Sequence, residues 1–66
     1  MKTYNVHFND ETDSNDKGMA VSLQEAKDYI EAWNGSNSSY FEDYKGGTVS
    51  VVCNETGESV YEESVR

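Results

Sequence analysis

Two residues have the chemistry of a nucleophile and its base: Cys53 and His7. A cysteine is activated when an imidazole within hydrogen-bond reach takes its proton. The elements that carry them decide whether they meet. Thr3 to Phe8 alternates polar and apolar, so His7 points away from the face shared by Tyr4, Val6 and Phe8. Cys53 ends the run TVSVVC and shares a face with Val49 and Val51. If both apolar faces line one core, the sheet stands between thiol and imidazole. A small buried thiol and an exposed histidine are expected, not a cysteine enzyme.

Asp13-Ser-Asn15-Asp-Lys17-Gly18 looks like the opening of a calcium-binding loop, with Asp at position 1, Asn at 3 and Gly at 6. Position 5 is Lys17, a cation where an oxygen is needed, and position 12 is Gln24, not Glu. A polar turn is expected, with only weak divalent binding at Asp10, Asp13 and Asp16. One Cys and one His fall short of the four ligands of a zinc site. Gly46-Gly47 leads into strand-forming residues without the Lys-Ser/Thr of a phosphate loop. Carboxylates abound, but nothing apolar is spaced to raise one pKa above another. No catalytic residue, cofactor or metal is expected.

The whole chain has 66 residues, one domain over 1–66, and a domain this short buries only about 60% of its unfolded surface. A single cysteine provides no internal disulfide. Thirteen acids against five bases give a net charge of −8. Direct nucleic-acid binding needs clustered Lys and Arg, and so does an anionic membrane surface; neither is expected. The charge suits solubility, a basic protein partner, or imitation of nucleic acid. No apolar run approaches the roughly 20 residues of a membrane helix. The opening MKTYNVHF lacks the apolar core of a secretion signal, so a cytoplasmic protein is expected. The N-x-[ST] patterns at Asn34, Asn37 and Asn54 are then chance.

Ser22-Leu23-Gln24-Glu25 is a capping box. Leu23, Ala26, Ile30 and Trp33 recur at helical spacing, Tyr29 flanks them, and Asn34-Gly35 ends the run. A helix over about 23–34 is predicted, with Trp33 its main anchor on the sheet. Residues 9–18 read as a loop, 19–21 as a short strand returning beside the first, 36–39 as a linker, and 40–45 as a turn of helix or an irregular segment. A C-terminal hairpin spans 48–63 around a three-residue loop, Glu55-Thr56-Gly57, with Val51 opposite Tyr61 and Cys53 opposite Ser59. The pieces predict a small α+β domain, β-β-α-β-β, mainly antiparallel, with one helix packed on Tyr4, Val6, Phe8, Val49, Val51 and Tyr61.

The aromatic cluster in SSYFEDYKGG is the best place for a partner. Phe41 is expected inward. At least one of Tyr40 and Tyr44 is expected outward, with Glu42 and Asp43 as a charged rim. Tyr40, Glu42, Asp43 and Tyr44 are therefore the candidate protein interface of a non-enzymatic interaction module, monomeric or weakly dimeric. A dimer would sit on the far sheet face around Val52 and Val60. A second reading, from size and charge alone, is an inhibitor of the kind phages and mobile elements use to imitate DNA. It would present Glu25, Asp28 and Glu31 with Asp10, Asp13 and Asp16. Mimicry needs carboxylates in a row, and the helical three drift around the helix.

Overall fold

The computed structural model describes residues 2–37 and 39–66, without the side chain of Ser39. The expected strand–strand–helix–strand–strand order is present, with a second, short helix: β1 Tyr4–Asn9, β2 Ser14–Val21, α1 Leu23–Trp33, α2 Ser39–Asp43, β3 Thr48–Cys53 and β4 Ser59–Ser64. The four strands form one antiparallel sheet in the order β2-β1-β3-β4, with α1 packed on one face. No helix among the described residues is long and apolar enough to cross a membrane.

The strand period does what it predicts. Tyr4 lies opposite Cys53, Val6 opposite Val51 and Phe8 opposite Val49, so the apolar sides of β1 and β3 form one surface. Val6, Phe8, Val49 and Val51 are fully buried beneath Ala26 and Ile30 of α1. His7 lies opposite Ser50, on the other face from Cys53.

β2 is longer than expected, and the loop before it shrinks to 10–13. The Asp10 carboxylate accepts the amides of Thr12 and Asp13, both at 2.8 Å, and the Asp10 amide donates to the Asp13 carbonyl at 2.9 Å. That side chain builds the turn. Those amide bonds hold the Asp10 carboxyl below its ordinary pKa. Ser14 to Asp16 are exposed at the sheet edge, so they carry no buried face to advertise a strand. β2 bulges before Val21, and Ala20 adopts a left-handed φ of 52°. Its amide donates to the Asn5 side chain at 2.9 Å, the partner that compensates the distorted ladder.

Helix α1 starts where the capping box places it. The Glu25 amide donates to the Ser22 hydroxyl at 3.2 Å, and that hydroxyl donates to the Glu25 carboxylate at 3.1 Å, in place of the bond from the Ser22 amide expected of the motif. Ser22→Ala should cost about 1 kcal/mol, lowering the melting temperature by about 4–8 °C. An unchanged melting curve would show that the cap does not hold the helix.

The hairpin differs from its expected register. The Cys53 amide donates to the Glu58 carbonyl, and the Gly57 amide to the Cys53 carbonyl, so the loop has four residues, 54–57, with Gly57 at φ 76°. Val52 faces Ser59, and a bulge at Val60 restores Val51 opposite Tyr61. Asn54 causes the change. Its amide donates to the Thr3 carbonyl at 2.9 Å, and its side chain bonds Thr3 and Asn5, which draws it out of the β3–β4 ladder.

Trp33 is the main correction. It is 48% exposed, not the buried anchor of the stripe. At 3.6 residues per turn it stands roughly 20° around the helix from the fully buried Ala26, so the wheel alone does not put it outside. The core near Phe8 is filled instead by Phe41 of α2 and by Tyr44 in the turn that follows it. Val65, past the last strand, is also buried; its amide donates to the Gly47 carbonyl and its carbonyl accepts from Gly46. Of the predicted linker, Ser38 lies outside the described residues.

The end of α1 is clasped to β4 through Glu63. Its carboxylate accepts from the Tyr61 hydroxyl and the Asn34 amide group, both at 2.5 Å, with Arg66 at 3.9 Å. These donors, the Tyr61 hydroxyl foremost, hold its pKa below the ordinary 4.5. A depressed carboxyl contributes stability above the unfolded pKa and loses it as pH falls through the folded one. Stability should therefore drop below about pH 4.5, and Glu63→Gln should flatten that slope. An identical acid slope in the variant would remove Glu63 from the clasp.

Candidate functional site

The segment 40–44 is the expected meeting place for a partner, and it turns most of its rings inward. Phe41 is fully buried, edge-on to Phe8 at 4.9 Å and against Tyr29 at 5.5 Å. Tyr44 is only 4% exposed, its ring stacked 5.8 Å from Phe8 and its hydroxyl donating to Asp13 Oδ2 at 3.1 Å. Burial, then that bond and charge, raise the Tyr44 pKa. Tyr40 is half-buried, 5.2 Å from Phe8 and 6.2 Å from Tyr44. The expected outward tyrosine is therefore not found. The reason is that Asp13 satisfies the Tyr44 hydroxyl inside the fold, so the ring can be buried without stranding a polar group. Of the four candidates, Glu42 and Asp43 lie on the surface, Tyr40 at its edge and Tyr44 in the core.

Lys17 is drawn into the same cluster. Its ammonium lies 5.6 Å from the Tyr40 ring centre and 5.9 Å from that of Tyr29, within cation–π range. Burial, with Tyr40 adding to it, raises the Tyr29 pKa. Lys17 belongs to β2, and Tyr44 holds the carboxylate of Asp13, so the calcium-like hexad is extended strand, not an ion-wrapping loop. Among the described residues, no three His, Cys, Asp or Glu side chains converge as metal ligands. A shallow depression of about 350 Å³ is lined by Asp10, Glu11, Thr12, Lys45 and Gly46.

The far face of the sheet carries a cross-strand row, Asp16, His7, Ser50 and Glu62. The Ser50 hydroxyl donates to the His7 backbone carbonyl at 3.5 Å, not to the imidazole, so the row is not wired as nucleophile and base. Cys53 is buried on the opposite face; the Thr56 amide and hydroxyl lower its thiol pKa.

What residue reading missed is that the outer side of α1, already marked by Glu25, Asp28 and Glu31, also carries the exposed Trp33. Gln24, Glu25, Asp28, Glu31, Ala32 and Trp33 are exposed, and Tyr29 is half-buried. Tyr29 and Trp33, four apart, share one flank. Lys27 is turned away, its ammonium 5.0 Å from the Tyr61 ring centre. The helical wheel held no signal for it, because Trp33 stands nearer to buried Ala26 than to Tyr29. With the geometry in place, comparison with known proteins adds no relative: no family model, curated protein or solved structure matches the chain.

Proposed function

We propose that this chain is a small non-enzymatic interaction domain whose acidic surface binds a basic protein partner. One observation carries this reading: four of the five cations are occupied by groups of the domain itself while most carboxylates face water, which leaves Lys2 as the exposed exception. Lys17 and Lys27 lie over aromatic rings, Lys45 bonds Asn37 at 2.6 Å, and Arg66 is beside Glu63. Every acid except Asp10 and Glu63 is exposed. Such a surface attracts and steers a positively charged partner. Glu42 and Asp43 on α2 contribute to it; Tyr44 does not.

The test is capture on the immobilised protein against a variant with Glu25, Asp28, Glu42 and Asp43 replaced by Gln or Asn. A basic protein should be held by the wild type, released by salt, and lost with the variant. Identical capture by both would sink the reading. The exposure of Glu25, Asp28 and Glu31 keeps DNA imitation as the second reading. In that case the captured protein binds nucleic acid, and double-stranded DNA displaces it.

A further inference from the structure

We infer that the docking surface is the outer flank of α1, where Tyr29, Ala32 and Trp33 seat the apolar side of a basic amphipathic segment of another protein. The inference rests on the basic-partner reading and gives it a place. Trp33 is the sole tryptophan, and its ring stands 48% in water in a domain with little apolar surface to spare. It is not alone: Tyr29 lies one turn before it, partly covered by Phe41, and exposed Ala32 borders Tyr29 three residues on. Aromatic anchors of this kind carry most of the energy of small interfaces when a partner seals them from water.

The charge around the flank selects the occupant. Glu25, one turn before Tyr29, shares its flank, Asp28 borders the flank one turn before Ala32, and Lys27 is withdrawn onto Tyr61. Lys17, the cation nearest the rings, lies between Tyr29 and Tyr40. An approaching segment therefore meets carboxylates first and rings next, a pattern matched by lysines or arginines flanking an apolar stripe. A second copy of this chain brings the same carboxylates to the flank and is repelled.

The sole tryptophan supplies the readout. A short lysine–leucine peptide with its leucines at helical spacing should bind saturably and move the Trp33 emission to shorter wavelength. Amide shifts should centre on Glu25, Asp28, Tyr29 and Trp33. Its counterpart with glutamate for each lysine should leave the emission unmoved. Trp33→Ala should weaken binding at least about tenfold, read by amide shifts, and the exposed pair Glu25→Lys/Asp28→Lys should abolish the emission change while the amide spectrum stays dispersed. Lysine-peptide binding that perturbs Glu42 and Asp43 while α1 stays silent would overturn this flank and leave the basic-partner reading standing. No binding of the lysine peptide at low salt would overturn both, and equal binding of the glutamate peptide would overturn the charge match.

Discussion

Phe41→Ala should leave most of the protein unfolded. The ring is fully buried against Phe8 and Tyr29, and it joins α2 to both the sheet and α1. Truncating a buried phenylalanine costs about 3–5 kcal/mol, the lost transfer energy plus the cavity left behind. A core of this size supplies no more than about 3–5 kcal/mol of net stability, so the loss consumes nearly all of it. The amide spectrum of the variant should collapse toward random-coil shifts. Phe41→Leu, which keeps most of the volume, should stay folded. A dispersed spectrum for Phe41→Ala would mean that α2 is not part of the core.

Gly47→Ala should be nearly as damaging, for a reason unrelated to φ. A Cβ on Gly47 would overlap the Asn9 backbone carbonyl and stand 2.9 Å from the Asp10 Cβ. Neither side can retreat easily. Gly47 donates to the Tyr44 carbonyl at 2.9 Å and accepts from the Val65 amide at 3.0 Å, while Asn9 is paired with Ser14 and Thr48. Overpacking of this kind costs about 1–3 kcal/mol or more. Gly46→Ala is the control: its φ of 88° strains alanine, but a Cβ there meets open space, so the cost should stay near about 1–2 kcal/mol. Urea midpoints of the pair give the order. A Gly46→Ala loss exceeding that of Gly47→Ala would show that conformation, not the close approach to Asn9, governs this turn.

The two glycines show where sequence reading stops. That Gly46-Gly47 interrupts the chain is a local fact and could be read. Which glycine needs its missing side chain depends on Asn9, far away in sequence. The same division runs through the fold. The Ser22 cap, the alternation of β1, the apolar run of β3 and the pairing of Val51 with Tyr61 follow from neighbours along the chain or from one buried face. β2 was under-read because Ser14 to Asp16 lie exposed at an edge and have no apolar period. The four-residue hairpin loop depends on Asn54 bonding Thr3, a contact from the other end of the chain.

The candidate site divides in the same way. Phe41 was legible as core because it has no polar atom. Tyr44 was not, because the carboxylate that lets its hydroxyl be buried comes from Asp13, thirty-one residues earlier. Once Phe41 and Tyr44 fill the space around Phe8, Trp33 stays at the surface. Of the interface expected on 40–44, Glu42 and Asp43 keep their place on the surface and Tyr40 its edge, while Tyr44 is core and the exposed large ring is Trp33 of α1.

That exchange, Phe41 and Tyr44 inside and Trp33 outside, is the central structural claim, and urea unfolding of Trp33→Ala tests it most directly. A ring already half in water should cost only about 1 kcal/mol on removal. The variant should keep a dispersed amide spectrum and a cooperative transition at slightly lower urea. Loss of the folded spectrum, as for Phe41→Ala, would make Trp33 the core anchor after all and contradict the assignment of the α1 flank to a partner.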